Sequence, residues 1–175
     1  IFKMKKILIT GALGHIGSGF IHSLKKNEYK EVVLVDNFLT QKQVSLFNLN
    51  SKINFKFYNL DILDKKIEKL FKNTDYVIHL AAITDATNSF KKQNEIKKVN
   101  YVGTKCIIKY CEKYGCKLIF PSTTSVYGVQ NGIVDEECTI DKLSPQSPYA
   151  DFKLKLENYL MNKKFKKKFK FVILR

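Results

Sequence analysis

The stretch Lys5-Lys6-Ile7-Leu8-Ile9-Thr10-Gly11-Ala12-Leu13-Gly14-His15-Ile16-Gly17 decides the reading of this chain. A short apolar run, Ile7 to Ile9, is followed by glycines at 11, 14 and 17, and then by a helical pattern of Ile16, Phe20, Ile21 and Leu24. That is strand, tight turn, helix. Gly11 permits the sharp turn, Gly14 leaves room for a phosphate group beside the backbone, and Gly17 lets the helix pack closely on the strand. The unpaired amides and positive dipole end of such a helix face an anion. A second apolar run, Val32 to Val35, ends in Asp36, the place for a carboxylate that bonds both ribose hydroxyls of a dinucleotide. The same carboxylate repels a 2′-phosphate, so the pattern reads as NAD rather than NADP.

The rest of the chain repeats the alternation. Ile53 to Tyr58 reads as a strand leading into Asn59-Leu60-Asp61-Ile62. Asp64 is placed to cap a helix running to about Lys72, and Gln41 to Asn50 reads as a short helix or loop. Asp75 to Leu80 is a strand followed by the small residues Ala81 and Ala82, which let a loop pass close to a bound molecule. A long amphipathic helix is expected over Asn94 to Tyr114, with Ile96, Val99, Val102, Cys106, Ile107 and Tyr110 on one side and Gly115 ending it. Lys117 to Phe120 is the fifth strand, and the hydroxyl-rich Pro121-Ser122-Thr123-Thr124-Ser125-Val126-Tyr127-Gly128 follows it. A further helix begins near Tyr149 and carries Phe152, Leu156, Tyr159 and Leu160; Phe169 to Leu174 is the sixth strand. Strands alternating with helices specify an α/β fold, a doubly wound parallel sheet of about six strands in the Rossmann-type order 3-2-1-4-5-6, helices on both faces. Gly11, Asp36, Asp61, Ala81, Thr123 and Tyr127 then all lie at the carboxyl ends of strands, where ligands bind in such sheets.

Composition narrows the function classes. The 175 residues make one domain, with 45% hydrophobic residues to form its core. No apolar run approaches the roughly 20 residues that span a membrane, and no signal peptide is visible; Met4 fits a natural start, which leaves Ile1 to Lys3 unexplained. The formal charge of +15 invites a nucleic-acid partner, but the positive residues are lysines apart from Arg175, and phosphate and base recognition favours the arginine fork. The lysines read as compositional bias on solvated faces, and the cluster from Lys163 to Lys170 as a solvated connection. Cys106, Cys111, Cys116 and Cys138 form no Cys-x-x-Cys pair, so no metal site is expected; they read as small apolar fillers in a reducing cytoplasm.

The candidate chemistry lies at Tyr149 and Lys153, four apart at a helix start and so on one face. A free tyrosine has a pKa near ~10; to act as a base at neutral pH it needs about 4 kcal/mol of differential stabilisation. The lysine ammonium and a nicotinamide cation are the expected source. Thr123 supplies a hydroxyl to bond the substrate oxygen as its proton moves.

Thr10-Gly11-Ala12-Leu13-Gly14-His15-Ile16-Gly17, Val35-Asp36-Asn37, Asp61-Ile62, His79-Leu80-Ala81-Ala82, Ser122-Thr123 with Val126-Tyr127-Gly128, and Pro148-Tyr149 with Lys153 occur in order and spacing. In this the chain resembles the extended short-chain dehydrogenase/reductases, specifically the NAD-dependent nucleotide-sugar epimerase/dehydratase family (UDP-glucose 4-epimerase-like). The resemblance covers nearly the whole chain. It implies Tyr149 as catalytic base and acid, Lys153 as its activator and ribose ligand, and Thr123 as the hydroxyl partner. It implies the glycine-loop residues Gly11, Leu13, Gly14, His15, Ile16 and Gly17 along the NAD, with the His15 side chain as positional filler. It also implies Asp36 with Asn37 at the adenosine ribose, Asp61 and Ile62 at the adenine, and Leu80, Ala81 and Ala82 along the cofactor. Asn100 matches a position that the family often fills with Asn, and is counted with the cofactor site; Glu157 matches a frequent, structural Glu. His79 is expected to stabilise a loop, His22 to sit on a solvated face, and Tyr127 either to touch substrate or to pack.

By the same resemblance the reaction is hydride transfer from a sugar carbon to NAD, giving a keto-sugar. Dehydratases of the family place Asp-Glu after the catalytic Thr, and decarboxylating relatives keep a Glu at the second of those positions; here stand Thr124 and Ser125. The small residues match an epimerase, with a keto-sugar reductase or dehydratase as the alternatives. A non-enzymatic dinucleotide sensor is the rival of another class, and typically lacks the Tyr/Lys pair. Two departures from the family stand out. Phe152 occupies the position before the lysine that is commonly Ser, and the chain stops at Ile173-Leu174-Arg175, where the nucleotide-sugar-binding part of the family begins. The resemblance therefore implies that residues 1–175 are the NAD-binding domain of a fragment, or of a truncated, inactive product. Its implied partners are a nucleotide-sugar substrate and a second copy, in a homodimer built on the long helix and the Tyr149 helix.

Overall fold

Six parallel strands carry the chain: β1 (Lys5–Thr10), β2 (Tyr29–Asp36), β3 (Phe55–Asn59), β4 (Tyr76–His79), β5 (Lys117–Pro121) and β6 (Phe171–Leu174). The computed structural model describes residues 4–26, 28–40, 42–84, 90–130, 132–165 and 169–175. The strands lie side by side in the order β3-β2-β1-β4-β5-β6, each pair parallel, as the alternation predicted. The helices are α1 (His15–Ser23), α2 (Gln93–Ile96), α3 (Thr104–Tyr114) and α4 (Pro148–Asn162). A 3₁₀ helix at Lys65–Phe71 stands where a helix to Lys72 was expected, and the Asp64 carboxylate caps it by accepting from the Lys66 N–H at 2.8 Å. Gln43–Leu46 is a 3₁₀ turn; Gln41, the first residue of the expected short helix or loop, lies outside the described residues. So do Lys166 to Lys168 of the lysine cluster.

The central strands are buried on both faces, the reason they read as continuous apolar runs. Ile7, Ile9, Val32 and Leu34 pack under Ile21 and Leu24 of the α1 side. Leu8, Val33, Val77, Leu118 and Phe120 pack on the other face against Ile107, Ile108, Cys111, Leu156 and Leu160. Gly17 is what seats α1: a Cβ there would stand 2.5 Å from the Gly11 carbonyl oxygen and 2.6 Å from that of Ala12. Ile16, expected on the buried stripe, is instead exposed, because in the first turn it points away from the Gly11–Ala12 turn that Gly17 touches.

The long helix differs from the expected one. Between α2 and α3 the segment Lys97–Gly103 is π-helical. Its wider turn shifts the phase of the pattern. Asn100, Gly103 and Thr104 face the interior with Ile96, Ile107, Ile108 and Cys111, while Val102 is left exposed and Cys106 half-buried. Gly103 suits the inner face, since a Cβ there would come 2.8 Å from Ile62 Cδ1.

Candidate active site

Gly11 sits at φ 68° and turns the chain out of β1 with its backbone against the loop after β4; a Cβ there would meet the Ala81 nitrogen at 2.5 Å. Gly14 is the N-cap of α1 and no side chain caps the helix. The nearest atom to a Cβ on Gly14 is the Gly11 carbonyl oxygen at 3.2 Å, so its outer side is open. The first turn of α1 also carries no acidic residue. Uncapped amides beside an open glycine suit a phosphate.

A cleft runs from this turn across the strand ends. Gly11, Gly14, Asp36, Asn37, Asp61 and Ile62 line it, and Leu80, Ala81, Ala82 and Ile83 close its far side. The Asp36 carboxylate accepts the Leu13 N–H at 3.0 Å through Oδ2 and the Phe38 N–H at 2.9 Å through Oδ1. Each oxygen keeps a second lone pair, so the carboxylate can still take a pair of hydroxyls. Asn37 donates through Nδ2 to Asp61 Oδ2 at 2.8 Å, tying the end of β2 to that of β3. The cleft is therefore set by backbone and carboxylates that other contacts already hold. His15 and Ile16 are exposed on α1 beside it, and Leu13 reaches it through the N–H given to Asp36.

Asn100 acts on the cleft through the main chain. Its Oδ1 accepts the Ile83 N–H and its Nδ2 donates to the Ile83 carbonyl, both at 2.8 Å. A buried amide used in this way pins the loop after β4. Sequence spacing gave no sign of Ile83. His79 is likewise structural, but it ties strand to helix where a loop was expected: buried, it bridges Thr10 Oγ1 of β1 at 2.6 Å and Thr104 Oγ1 of α3 at 2.8 Å. Burial, with the Lys153 charge adding to it, pushes its pKa down from 6.5 to about 3, so the imidazole is neutral.

The catalytic candidates gather at the end of β5. Ser147 caps α4, its Oγ accepting the Ala150 N–H at 3.2 Å, which puts Tyr149 in the first turn. Lys153 is 6% exposed. Its Nζ donates to the Pro121 carbonyl at 2.6 Å and lies 4.6 Å from the Phe120 ring centroid and 5.9 Å from that of Tyr149. Burial, partly offset by the charge of Glu157, lowers its pKa from 10.5 to about 8. Thr123 Oγ1 accepts the Ser125 N–H at 3.1 Å, which leaves its hydrogen free to be donated. In the chain without cofactor, which lacks the nicotinamide cation that the expectation also invokes, burial raises the Tyr149 pKa above 10.0. The lysine's hydrogen bond goes to Pro121, and its charge does not offset the lost hydration of the phenol.

Beside this group Ser122 Oγ donates to Glu157 Oε1, and Arg175 holds Glu157 Oε2 through Nη2 at 2.6 Å and Nε at 3.0 Å. Tyr127 packs: it is 9% exposed, its hydroxyl donates to the Asp135 carbonyl at 3.0 Å, and its ring centroid lies 5.3 Å from the Arg175 guanidinium carbon. Phe152, in place of the family's Ser, is buried with its ring 5.8 Å from that of Tyr101. A larger groove of about 680 Å³ lies at the opposite end of the sheet. Several of its charged groups already pair, Lys6 with Glu31 at 2.7 Å and Lys117 with the Tyr76 hydroxyl at 3.0 Å, which disfavours it as a site.

Comparison with known proteins identifies the family. Residues 7–175 match the model of the NAD dependent epimerase/dehydratase family. A dTDP-D-glucose 4,6-dehydratase of Dictyostelium discoideum is 32% identical over 91% of the chain and 40% of its own length. The structure of a UDP-N-acetylglucosamine 4-epimerase from Methanobrevibacter ruminantium M1 superposes with TM-score 0.88 at 31% identity, over 99% of this chain and 55% of that one. A UDP-glucuronic acid 4-epimerase from Bacillus cereus, solved with UDP-glucuronic acid and NAD, gives 0.84 at 36% identity, over 97% and 55%. The chain spans about half the length of these relatives. By its family match, its sheet order and the glycine turn of its cleft, it belongs to the NAD-dependent epimerase/dehydratase family.

Proposed function

We propose that the chain is the NAD-binding and catalytic portion of a nucleotide-sugar epimerase. One observation carries the reading: the cleft with its glycine turn and Asp36, and the group Tyr149, Lys153 and Thr123, stand at the same carboxyl end of one sheet. Bound NAD supplies a hydride acceptor and, when oxidised, a positive charge. The chain's residues do the rest. Gly11 and Gly14 admit the pyrophosphate against the open amides of α1, and Asp36 accepts the adenosine ribose hydroxyls. Lys153 has two N–H bonds left beyond the one given to Pro121, enough to hold the second ribose. Thr123 donates its hydroxyl to the reacting sugar oxygen. Tyr149 takes the proton of that hydroxyl as the carbon loses hydride, and gives it back when hydride returns to the other face of the keto-sugar. Proton and hydride are both restored, so the net change is inversion of one centre. Thr124 and Ser125, exposed in the 3₁₀ turn after Thr123, offer no carboxylate for elimination or decarboxylation, which favours epimerisation.

A homodimer in the cytoplasm goes with this reading. Tyr101, Val102, Cys106 and Tyr159 line a groove of about 720 Å³ outside α3 and α4, and Val102 is 45% exposed there. No described helix is long and apolar enough to cross a membrane. Calorimetric titration with NAD, and with NADP as comparison, tests the proposal. Binding of NAD well ahead of NADP is the expected result. Preference for NADP overturns the role of Asp36, and binding of neither overturns the assignment of the cleft.

A further inference from the structure

Lys153 and Glu157 occupy one face of α4, a turn apart, and both are almost wholly buried, at 6% and 3% exposure. They meet consecutive residues at the end of β5: Lys153 Nζ takes the Pro121 carbonyl, and Glu157 Oε1 accepts from Ser122 Oγ. Helix and strand end are thus laced at two successive rungs. The outer rung is anchored from β6, where the Arg175 guanidinium holds the other Glu157 oxygen through two nitrogens. Its third nitrogen, Nη1, is buried with no hydrogen-bond partner among the described residues. Glu157 is the first partner of this arginine, and the Tyr127 side chain lies beside the guanidinium as a second one. A buried carboxylate held by two partners has a fixed position, and here that position is one turn from a buried ammonium.

We propose that Glu157, held by Ser122 and Arg175, is a positioning residue that supplies the counter-charge for the Lys153 ammonium and keeps it at the end of β5. This deepens the function proposed above and rests on that reading for its importance, since Lys153 is there the ligand of the cofactor ribose. Among the described residues the groups facing Lys153 are Tyr149 and Glu157 from α4, neutral His79 from β4, and Phe120 and Pro121 from β5, with the Arg175 guanidinium behind Glu157. Among these Glu157 is the negative one, and its charge opposes the loss of hydration that lowers the Lys153 pKa to about 8. A merely structural Glu157 would act differently. Its loss would loosen the strand end, admit water to Lys153 and raise the lysine towards 10.5.

The sign therefore decides. The titration of Lys153 is followed by NMR of the lysine side chains in the cofactor-free chain, the signal assigned by its absence in Lys153→Met. In Glu157→Gln the midpoint is expected to fall by roughly one unit; no change or a rise overturns the proposal. Because Glu157→Gln strands a buried guanidinium, a second variant removes both charges. In Glu157→Gln with Arg175→Met the midpoint is expected to fall by less than in the single variant, since the more distant positive charge goes too. A midpoint at or above that of the unmodified chain overturns the proposal. The titration uses no cofactor, so failure here and failure of NAD binding are separate results.

Discussion

His79 makes the stability of this fold depend on acidity in a way that can be measured. It is 2% exposed and is held between Thr10 on β1 and Thr104 on α3, so its neutral form is built into the core. Its pKa is 6.5 unfolded and about 3 folded. With the folded value depressed, the unfolded chain binds the extra proton. The stabilisation from the neutral imidazole is complete above 6.5 and is lost as pH falls towards 3. Each pH unit in that window costs about 1.4 kcal/mol. At pH 5, about 1.5 units below the unfolded value, the loss is about 2 kcal/mol. Urea unfolding at pH 8 and pH 5, for the unmodified chain and for His79→Gln, isolates this contribution, because all other titrating groups cancel in the double difference. At pH 8 the variant is expected to be less stable by about 1–3 kcal/mol, from imperfect replacement of the two threonine bonds. Between pH 8 and 5 it is expected to lose about 2 kcal/mol less than the unmodified chain. If both lose the same amount, His79 is not held neutral and the reasoning is wrong.

Three further outcomes follow from the geometry. Gly11→Ala combines a left-handed backbone with a Cβ 2.5 Å from the Ala81 nitrogen; by strain and overpacking together it should cost about 2–5 kcal/mol in urea unfolding, and a cost under ~1 kcal/mol would show that the β4 loop yields easily. Asn100→Leu removes both bonds to Ile83 and should weaken NAD binding about tenfold or more in calorimetry, one bond's worth of about 1.4 kcal/mol being the least expected; unchanged affinity would mean that the loop holds its place without Asn100. Val102→Glu should turn a dimer into a monomer in analytical ultracentrifugation; a monomeric unmodified chain would refute the dimer directly.

The sheet order and the glycine turn were legible because both rest on local patterns. Alternating apolar runs specify parallel strands, and a glycine that must seat a helix, such as Gly17, has no substitute. The Asp64 cap was legible for the same reason. The long helix was read with a fixed period of 3.6. That period fails at Lys97–Gly103, where the π turn brings Asn100 and Gly103 inward and leaves Val102 outside. Contacts from side chain to distant main chain were illegible as well. Nothing in the spacing of Asn100 and Ile83, or of Lys153 and Pro121, marks one as the partner of the other, since any residue offers a carbonyl. Ser122 was visible within the hydroxyl loop, but its bond to Glu157 depends on how α4 crosses the strand end.

The pKa of Tyr149 in the cofactor-free chain bears on the order of events. Burial acts on the two catalytic candidates in opposite directions, raising the phenol above 10.0 and lowering the ammonium to about 8. At neutral pH the chain by itself therefore holds Tyr149 as an acid, with its proton in place. Lys153, bonded to the Pro121 carbonyl with its Nζ 5.9 Å from the ring centroid, does not change this. To become a base the phenol needs a further positive charge close by, worth more than the roughly 4 kcal/mol that separates ~10 from ~7. In the function proposed here that charge arrives with the oxidised cofactor. Proton removal from the sugar is then tied to the presence of a hydride acceptor, and Tyr149 does not abstract a proton before there is anywhere for the hydride to go.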